Sequence, residues 1–266
     1  MRRDPLISIL TLSFNHYAFL PNNIESVSSQ TYLNYEHLII DAGSRDGSRE
    51  YLLGQAKKNS KLVLIFEPDD GPADGLHKAM KRALGEIIIC LNSDDYFIPG
   101  ALNSVAEMYL ARPDAAGYTA NGYVLNEKLG KKKFQFTDKV TSWRFSTGKL
   151  CVMHPSTAYN ADFIRTNNLN FNTKSRTCWD WEMLADILIH KGKFVKTNRI
   201  WSVFRIHGNQ LNSSGALTDE YNKEVAAIQE KFYKDSKVTN VMIKNMCASL
   251  LRVYRKFMTI LFSLIS

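Results

Sequence analysis

The sequence predicts an α/β fold with a mostly parallel central sheet and helices on both faces, and three observations predict it. Short apolar runs alternate with amphipathic, helix-periodic segments through the first 114 residues. Successive runs are far enough apart to hold a crossover helix, which parallel strands require. Each run then ends in a cluster of Asp, Asn, Ser and Gly, the residues expected in loops at the carboxyl edge of such a sheet.

Taken in order, Leu6–Leu12 reads as a buried strand and Tyr17–Ser29 as a helix. Glu36–Ile40 is a second strand, followed by a helix from Ser48 to Lys58. Leu62–Phe66 and Ile87–Leu91 are the third and fourth strands, and Ala73–Ala83 is the helix between them, stopped by Gly85. Gly100–Ala111 is helical again and ends before Pro113. Beyond residue 114 the rhythm changes. A Lys-rich, hairpin-like stretch covers Ala115–Val140, a helix begins near Asp180, Trp201–Ile206 is a strand, and helices fill the C-terminal region.

The chain of 266 residues is 45% hydrophobic and 23% charged. That suffices for a sizeable core and excludes a disordered, fibrous or multispanning protein. Its formal charge of +8 suits phosphates, an anionic membrane surface or nucleic acid. Cys90, Cys151, Cys178 and Cys247 are scattered without a CxxC and read as reduced thiols. The start, MRRDPLISIL, lacks the apolar stretch of a signal peptide, so the expectation is a cytoplasmic chain.

Asn240–Ser266 carries Lys244, Arg252, Arg255 and Lys256, no acid, and a broad apolar stripe. That pattern fits an interfacial helix, which would put the chain at the inner face of the plasma membrane. It fits equally a terminal helix packed on the core or on a second copy in a homo-oligomer, and both readings stay open here.

The strand ends carry Thr11-Leu12-Ser13-Phe14-Asn15, Asp41 through Gly47, Glu67 through Gly71, and Asn92-Ser93-Asp94-Asp95. So many carboxylates along one edge call for a cation. Mn²⁺ or Mg²⁺ held by Asp94 and Asp95 meets the need if a diphosphate supplies further oxygens. GxGxxG, GxxxxGK[ST] and GxSxG are absent, which argues against dinucleotide, P-loop and α/β-hydrolase sites. Trp201, Val203, Arg205 and His207 alternate along one strand, so Arg205 and His207 suit contact with a diphosphate or metal.

The stretches TLSFNHYAFLPNNIESVSSQTY, HLIIDAGSRDGSREYL, EPDDGPADGLHKAM and GEIIICLNSDDYFIPGAL together resemble the family 2 glycosyltransferases of the GT-A fold. HPSTAYNADFIR, CWDWEMLADIL and FRIHGNQLN resemble the family's second half more loosely. The resemblance covers about residues 5–212. It implies a domain over 1–212, with nucleotide binding in 1–114 and the acceptor part in 115–212, and a helical extension over 213–266.

By position, the resemblance implies that Thr11, Ser13 and Asn15 line the nucleotide pocket. Asp41 would bond the base, flanked by Ser44 and Asp46, and Asp74 and Lys78 would lie near the sugar and diphosphate. Asp95 would hold the metal and Asp94 would face the ribose. Asp180 would be the base that takes a proton from the acceptor hydroxyl; the competing reading is a helix N-cap. Flanking Trp179 and Trp181 predict a desolvated Asp180 carboxylate. His77 and Gly75 stand where relatives usually have Asn and Ala, and Trp179 where they have an acid. His154-Pro155-Ser156 reads as structural more than as acceptor lining.

The implied activity is sugar transfer from a UDP- or dTDP-sugar to a glycan or polyprenyl-diphosphate-linked acceptor in cell-surface polysaccharide assembly, with inversion. The alternative is a metal-dependent nucleotidyltransferase acting on sugar phosphates, although its usual Gly-rich cationic first loop is here Ser13-Phe14-Asn15-His16. A nucleic-acid-binding module suits the charge, but the basic residues are spread along the chain and no RNP, zinc-finger or helix-turn-helix pattern occurs, so nucleic acid is not an expected partner.

Overall fold

The computed structural model describes residues 3–208, 217–236 and 252–261. Four strands, β1 (Ile7–Ser13), β2 (Tyr35–Asp41), β3 (Leu62–Phe66) and β4 (Ile87–Cys90), lie parallel in the order β3-β2-β1-β4. They are nearly continuous apolar runs because helices cover both faces. On one face Leu10, Leu38, Ile40 and Ile88 pack with Leu76 of α3 (Pro72–Arg82). On the other, Ile7, Ile9, Ile87 and Ile89 meet Leu102 and Val105 of α4 (Ala101–Ala111). The alternation follows the two-residue period of a strand, and each such buried aliphatic side chain contributes about 1.5–3 kcal/mol.

Helix α1 (Leu20–Ser28) starts three residues later than the sequence pattern predicts. Asn15 takes a left-handed backbone (φ 53°), and a turn closes from the Phe19 and Leu20 N–H groups onto the His16 carbonyl. Pro21 has no N–H to give an earlier turn, so it sits in the first turn of the helix. Helix α2 (Ser48–Ala56) follows β2.

The second half converts the parallel sheet into a mixed one. Strand β8 (Thr157–Asn160) pairs antiparallel with β4 and with β6 (Gly117–Asn126). Strand β9 (Phe194–Ile206) runs parallel to β6 and antiparallel to β5 (Tyr96–Phe97), while β7 (Lys131–Gln135) forms the expected hairpin with β6. Only part of β9 was legible, and β8 was missed because four buried residues, TAYN, show no usable periodicity.

Helices α5 (Ser142–Ser146), α6 (Ala161–Thr166), α7 (Trp179–Ile189) and α8 (Thr218–Ser236) follow among the described residues. Helix α8 lies beyond residue 212, yet it buries Ile228 and Phe232 in the same cluster as Leu184 and Phe145, the Phe145 and Phe232 rings lying 4.7 Å apart.

Of the tail expected to meet a membrane, residues 252–261 are described, and they are helical. There Arg255 turns inward to the buried Asp138 at 2.7 Å, while Val253, Phe257 and Ile260 are exposed. The rest of that tail lies outside the described residues. Among the described residues no helix is long and apolar enough to cross a membrane.

Candidate active site

The four polar strand ends meet along one edge, stitched by the loop after β1. Asn15 donates its N–H to Ser44 Oγ (2.8 Å) and accepts the Arg45 N–H at its side-chain oxygen (2.9 Å). The Tyr17 N–H reaches Asp46 Oδ2 (2.9 Å). On the other side, His16 Nδ1 bonds Ser93 Oγ at 2.6 Å. The β3 end joins through the Glu67 N–H to the Asp41 carbonyl, 3.3 Å. The loop from Asp41 to Ser48 needs glycine at Gly47, where φ is 91°.

Asp41 is fully buried and its carboxylate is consumed by this loop. Oδ1 accepts the N–H groups of Gly43 (3.1 Å) and Ser44 (2.9 Å), and Oδ2 accepts the hydroxyls of Ser13 (3.2 Å) and Ser44 (2.5 Å). A carboxylate has about four lone-pair sites, and these four bonds fill them. Asp41, expected to read the nucleobase, thus staples the loop, and bonding a base requires it to release one of the serine hydroxyls.

Thr11 is likewise not a pocket residue. Its hydroxyl, fully buried, donates to the Leu91 carbonyl (2.7 Å) and accepts from His37 Nε2 (2.8 Å). Asp46 braces α2 instead of standing free; burial opposes its ionisation, but bonds from Ser48 and the Tyr17 N–H outweigh that and hold its carboxyl below the usual range. Phe14, 57% exposed at the end of β1, was missed. An accessible aromatic face among such loops suits stacking of a base.

Asp74 and Lys78 come together as their spacing predicts, Nζ to Oδ2 at 2.8 Å. The bond from Lys78 holds the Asp74 carboxyl below its usual range. The pair also grips the loop after β3: Asp74 Oδ2 accepts the Asp70 N–H (3.1 Å) and Lys78 donates to the Pro68 carbonyl (2.6 Å).

At the end of β4 the two aspartates part. Asp94 turns its Oδ2 to His207 Nε2, 3.1 Å away. Asp95 turns inward, 1% exposed, where Oδ1 accepts the Arg205 N–H (2.9 Å) and Oδ2 has no partner. Burial and the neighbouring Asp94 push the Asp95 carboxyl well above its ordinary range. Asp94, expected to face the ribose, thus pairs with His207, while Asp95, expected to hold the metal, lies behind it with one carboxylate oxygen unpartnered.

Arg205, expected at the diphosphate, is engaged within the protein. Its Nε donates to the Asp94 carbonyl (2.7 Å), Nη1 to Glu127 (2.6 Å) and Nη2 to Asn22 (2.7 Å), and the guanidinium lies over the Phe19 and Tyr96 rings. It clamps the aspartate loop from behind. Asn23, buried in α1, adds two bonds to the Asn92 and Asp95 carbonyls (2.9 and 3.0 Å). An Asn inside an apolar helix face is the sequence signal that could have found it.

Asp180 stands in the first turn of α7, not at its N-cap, which is Cys178. Its side chain is 39% exposed and accepts the neighbouring Trp181 N–H at 2.8 Å. Desolvation by two tryptophans is not realised. Trp181 is drawn into the core, stacked on Phe145 at 4.6 Å, because the α7–α8 interface buries that face. His154 lies beside Asp180, Nδ1 to Oδ2 at 3.8 Å.

The segment leading into α7 is held by a residue that sequence reasoning passed over. Glu224 of α8 accepts the N–H groups of Arg176 (2.7 Å), Thr177 (3.0 Å) and Cys178 (2.9 Å), and the hydroxyls of Ser175 (3.0 Å) and Thr177 (2.8 Å). It supplies from another helix the acceptor that Cys178 lacks.

For Mn²⁺ or Mg²⁺ the fit rests on the donors present. Asp94 Oδ2 and His207 Nε2 offer an oxygen and a nitrogen side by side, and imidazole suits Mn²⁺ better than Mg²⁺. Among the described residues no group of three or more His, Cys, Asp and Glu could hold a metal ion, so a cation here needs oxygens from a ligand.

Residues 8–175 match the family described as glycosyl transferase family 2. A teichuronic acid biosynthesis glycosyltransferase of Bacillus subtilis (strain 168), TuaG, is 31% identical over 127 residues, 47% of this chain and 50% of that one. The chondroitin synthase of Pasteurella multocida is 25% identical over 231 residues, 86% of this chain but 23% of its own. The chain thus spans half or less of the length of these two relatives.

Among solved structures, S. aureus TarS 1–349 in complex with UDP-GlcNAc superposes with a TM-score of 0.68 at 16% identity, covering 84% of this chain and 66% of that one. The mannosyltransferase PcManGT of Pyrobaculum calidifontis, in complex with GDP-Man and Mn²⁺, gives 0.61 at 12% identity, covering 95% and 81%. At such identities the likeness speaks for the fold, which is GT-A. With the family match running from β1 through the loop before α7, the chain belongs to glycosyl transferase family 2.

Proposed function

We propose that this chain transfers a sugar from a UDP- or dTDP-sugar to a hydroxyl of a glycan or polyprenyl-diphosphate-linked acceptor, with inversion, in cell-surface polysaccharide assembly. The observation that carries the reading is the Asp94–His207 pair at the carboxyl edge of the sheet, with Asp180 presented from the other half of the molecule. Phe14 stacks the base, and the loop held by Asp41, Ser44 and Asn15 cradles the nucleoside. Asp94 and His207 hold Mn²⁺ or Mg²⁺, which when bound supplies positive charge for the departing diphosphate. Asp180 accepts the acceptor hydroxyl's proton at a carboxylate oxygen.

A panel of UDP- and dTDP-sugars, screened for Mn²⁺-dependent donor hydrolysis, tests this together with calorimetric titration of UDP with and without Mn²⁺. Asp180→Asn should keep donor binding and lose turnover; full turnover would remove Asp180 as the base. Nucleotide binding that ignores the metal would remove the metal role. The same reading assigns the exposed Val253, Phe257 and Ile260 to contact with lipid, which flotation with anionic vesicles checks.

A further inference from the structure

Among the described residues, His154 has both of its ring nitrogens buried with nothing bonded to them. A tenth of the His154 side chain is reached by solvent, yet Nδ1 and Nε2 are both fully occluded and unpartnered. Buried polar groups are nearly always bonded, so this one needs an explanation.

The mount of His154 is rigid. Pro155 sets the backbone of a short 3₁₀ turn (His154–Ser156). The Ser156 hydroxyl lies 2.6 Å from that of Ser202 and 3.0 Å from the Asn121 carbonyl, and all three residues are fully buried. Asp180, by contrast, is held among the described residues by the N–H of the residue after it and by its place beside His154. The direction of the Asp180 carboxylate is therefore set by whatever bonds its Oδ2.

We infer that His154 is the positioning residue for Asp180: it donates Nδ1–H to Oδ2 and fixes the face from which the carboxylate takes a proton. This rests on the reading of Asp180 as the base. The present 3.8 Å separation closes to hydrogen-bond length with a shift of about 1 Å. The tautomer follows from the surroundings. A proton on Nδ1 points a donor at a carboxylate and leaves only a lone pair unpaired at Nε2. Burial, outweighing the pull of Asp180 and Asp94, lowers the tendency of the ring to take a second proton, so it acts as a neutral donor.

Labelling the full chain with [¹⁵N]histidine gives a spectrum of six imidazoles, and the signals lost in His154→Asn identify His154. The expected spectrum has His154 neutral with its proton on Nδ1 at pH 7, and Asp180→Asn moves those signals. A proton on Nε2, a charged ring, or signals unmoved by Asp180→Asn would overturn the inference.

On the nucleotide sugar that the hydrolysis panel identifies, Asn at 154 retains the Nδ1-like donor and most of the turnover. Gln, which places its amide at Nε2, and Ala lose on the order of 100-fold in kcat with donor KM unchanged. Rescue by Gln instead of Asn, or a loss carried by KM, would also overturn it. Full turnover of Asp180→Asn would instead fell the base assignment, a result the spectrum keeps separate.

Discussion

Removing the Glu224 carboxylate should both destabilise the protein and loosen the segment that carries Asp180. Glu224→Ala leaves the N–H groups of Arg176, Thr177 and Cys178 without their acceptor, while the Ser175 and Thr177 hydroxyls can turn to water. Hydrogen bonds to a charged group contribute about 1.5–3 kcal/mol when buried. This carboxylate is only partly buried, so about 1 kcal/mol for each main-chain bond, or about 3 kcal/mol in all, is the appropriate scale. In a chain of this size that lowers the melting temperature by about 6–12 °C. Glu224→Gln recovers part of it, because an amide oxygen at the Oε2 position still accepts from Ser175, Thr177 and Cys178, while the Arg176 N–H loses its acceptor and the charge is gone.

The pH dependence has a fixed sign. Burial would raise the Glu224 carboxyl, but bonds from Arg176, Thr177 and Ser175 outweigh it and hold the group below its ordinary value. Its contribution is then complete above the ordinary carboxylate range and is lost as pH falls through the lowered folded value. Calorimetry, with hydrogen exchange over residues 175–181, measures both effects. A melting temperature within about 1 °C of the parent, or unchanged exchange in that segment, would refute the reasoning.

Arg205→Lys should weaken UDP binding about tenfold, because one ammonium cannot span the Asp94 carbonyl, Glu127 and Asn22 that the guanidinium joins; calorimetry with Mn²⁺ reads it. Asp94→Asn should abolish metal-dependent UDP binding, whereas Asp95→Asn should keep it, since an amide oxygen still accepts the Arg205 N–H; the reverse order would restore the metal to Asp95.

Acid should destabilise the fold through His37, which burial pushes down to about 3. Its stabilising effect is complete above the unfolded value near 6.5 and falls with pH, by about 1.4 kcal/mol at pH 5.5. His37→Gln should keep the bond to Thr11 and flatten that slope in urea titrations; an unchanged slope counts against it.

The amino-acid order alone determined the parallel half of the sheet, because Ile7–Ser13 and Ile87–Cys90 are apolar runs whose only stable home is between two layers of helix. It also determined that Asp41, Asp74, Asp94 and Asp180 sit at strand ends, loops and helix starts, and that Asp74 and Lys78 share a face. Which oxygen each acid spends, and on what, was settled only by tertiary structure.

Asp41 and Asp95 look as available in the sequence as Asp94, yet Ser13, Ser44 and the Arg205 N–H absorb or shield them; Ser44 is local, but Ser13 and Arg205 come from strands 28 and 110 residues away. Glu224 and His154 carry no local signal for the same reason. A helix-surface glutamate and a histidine before proline gain meaning only where α8 meets the entry to α7 and where β8 brings its leading turn beside Asp180. Local pattern follows from backbone periodicity and apolar burial, which short windows report. Apart from local pairs such as Asp74–Lys78, the partners of these acids are distant in sequence, and no short window contains both.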